Sequence, residues 1–292
     1  MKPSDLDAPA DRRRLILVRD ASHSTGTKPD LFHAPSGSIA ESIGWESIGL
    51  RFRDHRPITC GLVLWFLGYL ALSAVIVGLG LLLTHLLLDG SLGRWDEGVS
   101  RWFVTRRTGT LNSVTSIVSA LGSTIVIIGG AVLTAVVLAI GRHRRQIGFL
   151  VCALTLELAV FLTATLLVDR PRPAVPRLDA SPPTSSYPSG HAAAAIVLYA
   201  GIAMVTSSLV RRRAIRVLVW ITAVAIPLFV GFSRLYRGMH HATDLMGSLI
   251  LGIGALLFAL STTRAATTVS ALRDERSREP AEPSRARLGV PS

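Results

Sequence analysis

Two short stretches of this chain carry residue types suited to phosphoryl chemistry. The first is Pro188-Ser189-Gly190-His191, which leads directly into an apolar run and so stands at the start of a helix. The first four backbone amides of a helix have no internal partner and its dipole is positive there, which favours an anion. Gly190 lets the backbone come close to a ligand, and Ser189 adds a hydroxyl donor. The second stretch begins Ser233-Arg234 and continues to His240 and Asp244. At a four-residue spacing the last two share a helix face, so the carboxylate can fix the tautomer of the imidazole and leave its other nitrogen nucleophilic. On that reading His240 forms a phosphohistidine and His191 protonates the leaving oxygen. Arg170 and Arg172 precede the first stretch, and Arg237 lies inside the second.

The elements that position these groups are membrane helices. The chain has 292 residues, 49% of them hydrophobic, a share that many soluble domains also reach. Distribution therefore decides. Uncharged or nearly uncharged blocks cover 58–88, 111–140, 146–168 (broken by Glu157), 192–210, 217–233 and 245–263. A membrane-spanning helix needs roughly 20 mostly apolar residues, and core helices of soluble proteins are amphipathic instead. The expected fold is all-α: a polytopic bundle of six transmembrane helices. The Ser/Thr-rich segment 111–123 reads as an interfacial piece.

Arginines gather at 142–145, at 211–216 and before the first span. The positive-inside rule then places both termini in the cytoplasm, and loops 169–191 and 233–244 together on the outer face. The expected location is the inner or plasma membrane, with the active site at its outer interface. Residues 1–50 and 265–292 read as polar, disordered cytoplasmic segments around a membrane domain at 51–264. The net charge of +12 suits anionic lipid headgroups, and no nucleic acid partner is expected. Cys60 and Cys152 lie inside apolar blocks without metal-ligand spacing. Glu157 is a costly residue at mid-membrane, and a buried hydrogen-bonding carboxyl is the simpler reading than a catalytic one.

These motifs resemble the type 2 phosphatidic acid phosphatase superfamily, membrane enzymes with a three-part signature. Its second part, Pro-Ser-Gly-His, matches at Pro188 to His191. Its third part matches through Ser233, Arg234, His240 and Asp244 at the required intervals. The first, a lysine followed after six residues by Arg-Pro, matches only at Arg172-Pro173, because Thr165 stands where the family has lysine. Losing a direct cation contact to phosphate would cost about 10 to 1,000-fold in rate unless it is replaced. Arg170 is the favoured substitute, with Arg237, Arg177 and a Thr165 hydroxyl as secondary candidates.

The resemblance implies a metal-independent, cofactor-free hydrolase of lipid phosphates or pyrophosphates. Polyprenyl pyrophosphate, phosphatidic acid and phosphatidylglycerol phosphate are the substrates to expect. His240, His191 and Asp244 would be catalytic, while Arg172, Arg234, Ser189, Gly190 and Arg170 would hold the phosphate. The alternatives are a phosphotransferase using a lipid donor, or a weakened phospholipid-binding protein. The partners are the bilayer and its lipid phosphate, and the sequence leaves the oligomeric state open.

Overall fold

The computed structural model describes residues 56–180 and 183–278. The expectation for segment 1–50 lies outside them. Among the described residues the chain forms eight α-helices: α1 Pro57–Leu82, which runs on through a π-helical turn Leu83–Leu87, α2 Ser91–Val104, α3 Gly109–Ala120, α4 Thr124–Ile140, α5 Arg144–Leu167, α6 Gly190–Leu209, α7 Arg213–Tyr236 and α8 Ala242–Arg278.

Helices α1, α5, α6, α7 and α8 are long and apolar enough to cross a membrane, and α3 with α4 makes a sixth span if that bent pair is counted as one. The expected second span is therefore broken, with a bend of 43° across Leu121-Gly122-Ser123. The reason is local. A Cβ at Gly122 would stand 2.8 Å from the His191 carbonyl oxygen, so only glycine lets this joint slip beneath the start of α6.

The core is shared by α1, α5, α6 and α8. Leu72 and Ile76, Phe149 and Leu156, Val197, and Leu251 and Ala255 meet in one buried cluster. Helix α7 packs on α6 and α3, and α4 covers α5 and α6. The outward faces remain apolar, with Leu62, Phe66, Leu133, Ile140, Leu166 and Leu228 exposed, the expected inversion for a bundle solvated by lipid. Small residues allow close approach between the helices. A Cβ on Gly247 would lie 2.4 Å from the Tyr187 ring, which is how the loop before α6 seats on α8.

Two elements depart from the sequence reading. Helix α2 falls between the apolar blocks 58–88 and 111–140, and its Gly93, Asp96, Ser100 and Phe103 recur at helical spacing and form its buried face. Helix α8 continues through 265–278, a stretch expected to be disordered. Ala265 and Val269 are buried against Cys60 of α1, with Leu64 packed alongside, so the helix end has a partner to hold it.

Candidate active site

A cavity of about 610 Å³ opens where the loop before α6, the end of α7 and the start of α8 converge. His191, His240, Arg172, Arg234 and Gly190 line its polar part, together with Asp179. That volume suits one small-molecule ligand or part of a lipid. The two remote motifs thus meet in a single cavity.

His240 is buried at the junction of α7 and α8. Its Nδ1 lies 2.7 Å from the Ser186 carbonyl oxygen and 3.7 Å from Asp244 Oδ2. A carbonyl only accepts, so Nδ1 carries the proton and Nε2 keeps its lone pair. The expectation that Asp244 itself holds the ring is corrected here: the direct bond goes to a main-chain oxygen, and the carboxylate acts from slightly farther away. Burial pushes the His240 pKa down, and the Asp244 charge only partly restores it, so the ring is neutral at neutral pH.

The Ser186 carbonyl is aimed by its own loop. The Ser186 amide donates to the Arg170 carbonyl at 2.9 Å, and its hydroxyl to the Pro171 carbonyl at 3.1 Å. Ser185 Oγ accepts from the Arg170 amide at 3.3 Å and from the Tyr187 amide at 3.1 Å. The chain around residue 170 therefore braces the chain around residue 186.

Asp244 stands in the first turn of α8, fully buried. Its Oδ2 accepts from the His241 amide at 2.8 Å, and its Oδ1 takes the Arg170 guanidinium. Arg170 also donates to Thr243 Oγ1 at 2.8 Å and to Asp96 Oδ2 at 2.8 Å. Asp96 in turn accepts from the Thr243 amide and hydroxyl. Arg170 was the favoured replacement for the missing lysine, and this arrangement corrects that: its terminal nitrogens are spent on the carboxylates of Asp244 and Asp96, and it does not line the cavity.

Arg237 is likewise occupied. It donates to Asp179 through Nε (2.8 Å) and Nη2 (2.5 Å), and to the carbonyls of Leu178 and Asn112. It clamps the loop after Arg172 onto α3 and does not face the cavity. Thr165 is turned back on its own helix, its hydroxyl 3.0 Å from the Leu162 carbonyl. Neither replaces the lysine.

The groups left unspent are informative. Arg172 Nη1 donates to the Met239 carbonyl at 2.8 Å, and Arg234 Nη1 donates to Ser119 Oγ (2.9 Å) and Asp179 Oδ2 (3.0 Å). Yet Nε of Arg172, Nε of Arg234 and Oγ of Ser189 are buried without a partner. Burial also pulls the Arg172 pKa below its ordinary value, and the Asp244 charge only partly restores it. Ser189 is the N-cap of α6 and makes no side-chain cap bond, which leaves the leading amides of the helix open. Ser248 Oγ fixes this turn by accepting from the Ser189 amide at 2.8 Å.

Several supporting residues escaped sequence reasoning. Asp96 and Glu97 come from α2, and Glu97 bonds His241 Nε2 at 3.1 Å and the Ala174 amide at 3.3 Å. Their signal was the helical period of 91–104 beside a buried acid. Ser248 was findable one turn beyond Asp244 on the same face. Asp179 carried no sequence signal beyond its charge.

Residues 146–267 match the family model described as the PAP2 superfamily. Phosphatidylglycerophosphatase B of Bacillus subtilis (strain 168) is 33% identical over 180 residues, covering 56% of this chain and 80% of that protein. The crystal structure of a transmembrane PAP2-type phosphatidylglycerolphosphate phosphatase from Bacillus subtilis superposes with a TM-score of 0.54 at 24% identity, over 77% of this chain and 99% of that one. The family match, that relative and the shared fold agree with the meeting of His191 and Gly190 of one motif with Arg234 and His240 of the other in one cavity: the chain belongs to the PAP2 superfamily and is a membrane lipid phosphatase.

Proposed function

We propose that the protein hydrolyses a glycerophospholipid phosphate of the phosphatidylglycerol phosphate kind through a phosphohistidine. The observation that carries the reading is the convergence of two buried guanidinium groups whose Nε atoms have no partner among the described residues, from Arg172 and Arg234, in the cavity that holds both histidines, with the unpartnered Ser189 hydroxyl next in sequence to its lining residues Pro188 and Gly190. In this scheme His240 Nε2 attacks phosphorus, and the phosphorus–oxygen bond to the lipid alcohol breaks as His191 hands its proton to that oxygen. Positive charge then grows on the His240 ring, where the Ser186 carbonyl and Asp244 stabilise it. Water next attacks the phosphohistidine while His191 takes a proton from it. The phosphorus–nitrogen bond breaks, and inorganic phosphate leaves with His240 neutral again.

Arg172, Arg234, the Ser189 hydroxyl and the Gly190 amide neutralise the phosphate oxygens, where most of the catalysis of phosphoryl transfer resides. The arginine distribution supports an extracytoplasmic site with both termini in the cytoplasm. The substrate class follows the relative named above, and the cavity adds an apolar extension between α4 and α5, lined by Ile128, Leu154 and Leu158.

The test is phosphate release by the purified protein in detergent with EDTA present, from phosphatidylglycerol phosphate, phosphatidic acid and a polyprenyl pyrophosphate. Release should persist in EDTA, vanish in His240→Ala, and leave an acid-labile phosphoprotein in wild type after rapid quenching. Phosphate appearing only when another lipid or glycan is added would instead mark a phosphotransferase.

A further inference from the structure

Below its polar mouth the cavity continues along a single stripe of α5, formed by Leu154, Glu157, Leu158 and Phe161. Phe161 marks the level of the phosphate seat, because a Cβ on Gly190 would lie 2.8 Å from its ring. Glu157 is one helical turn deeper, about 6 Å at 1.5 Å per residue. Beyond it the lining turns apolar, with Ile128 and Leu154.

Glu157 is 4% exposed and lines this passage. Among the described residues no hydrogen bond or ion pair to its carboxyl is found, although buried polar groups are almost always partnered. The mechanism above does not use it. An unpartnered carboxyl at membrane depth is expensive, and hydrocarbon offers it nothing. Glu157 and both histidines line the same cavity, so the passage leading away from a phosphate held between His191 and His240 has this carboxyl in its wall.

We propose that Glu157 is a specificity residue that recognises lipid phosphates with hydrogen-bonding groups, ester carbonyls or hydroxyls, immediately next to the phosphate. This rests on the phosphatase reading of the cavity. A glycerolipid places such groups within the first few bonds after phosphorus, whereas a polyprenyl chain begins its hydrocarbon at once and would leave the carboxyl stranded. The same carboxyl that accepts from a hydroxyl can, when protonated, donate to an ester carbonyl. Discrimination built on a buried polar group is steep, because the wrong ligand leaves that group unpaired.

The experiment measures kcat/KM of wild type, Glu157→Leu and Glu157→Gln on phosphatidic acid, on a polyprenyl monophosphate and on a small water-soluble aryl phosphate too short to reach the residue. The expected result for Glu157→Leu is a loss of 10-fold or more on phosphatidic acid, an unchanged or higher rate on the polyprenyl substrate, and an unchanged rate on the aryl phosphate. Glu157→Gln, which still hydrogen-bonds, should keep most of the wild-type preference. An equal loss on all three substrates, no change in their ratios, or a glutamine variant as indiscriminate as leucine would overturn the proposal. The phosphatase reading is judged separately by His240→Ala on the aryl phosphate: if that variant stays active, the catalytic assignment fails whatever Glu157 does.

Discussion

Arg170 and Asp244 form a buried ion pair, 1% and 0% exposed, with Asp96 on the far side of the same guanidinium. An arginine two residues before the cavity-lining Arg172 thus supports the carboxylate beside the nucleophile. The pairing also explains why α2 belongs to the active site: Asp96 holds the second terminal nitrogen of the guanidinium that supports Asp244.

Removing one member of such a cluster strands the others. Arg170→Met should therefore destabilise the protein by about 3–5 kcal/mol, the usual cost of an uncompensated buried charge. Thermal unfolding in detergent checks this, and Asp96→Asn should show a smaller loss because a hydrogen-bonding group remains.

His191 serves the leaving group, so its removal should matter most when the departing oxygen is a poor leaving group. His191→Ala should slow hydrolysis of an alkyl lipid phosphate by about 10²–10⁴-fold, the span of general acid catalysis, and an aryl phosphate with an acidic phenol far less. Equal losses on both substrates would contradict the role.

The pH profile follows from burial. His240 must be neutral to attack, and its pKa is displaced downward from the ordinary 6.5, so the acid limb of kcat/KM should lie below pH 6.5. Asp244→Asn should move that limb lower still, because the carboxylate favours the charged ring.

His241 behaves oppositely. Burial opposes its charge, but Asp244 and Glu97 outweigh that and raise its pKa. Its contribution to stability is then complete below pH 6.5 and is lost as pH rises through the raised folded value. Melting temperature against pH should show this decline in wild type and lose it in His241→Gln.

Thr165 follows the cavity-lining Phe161 by about one turn of α5, and its short side chain is turned back onto the Leu162 carbonyl. Thr165→Lys should extend an ammonium toward the seat and raise kcat/KM on lipid phosphates by about 10-fold. A fall in activity would show that another cation already occupies that direction.

Much of the fold was legible because lipid imposes a coarse rule. Blocks such as 146–168 and 192–210 have to be helices, since backbone groups in hydrocarbon must be satisfied internally. The two exact motifs likewise announced His191, Arg234, His240 and Asp244. What escaped was set by tertiary pairing. Helix α2 is amphipathic and short, so a search for apolar runs passes over it, although it supplies Asp96 and Glu97. The direction of each arginine was equally hidden. Arg170 and Arg172 are two residues apart in an extended segment and point to opposite duties, one toward carboxylates and the other toward the cavity. Charge counting treats them alike.

The oxygen that sets the His240 tautomer belongs to a peptide bond. No exchange of side chain at position 186 can delete it, so point mutation alone leaves this atom of the catalytic apparatus in place. The vulnerability lies instead in the path of the main chain. Lengthening or shortening the loop between Arg170 and Ser186 would misdirect the nucleophile while leaving every residue of both motifs unchanged, and relatives with altered loops there would carry intact signatures over a silent site.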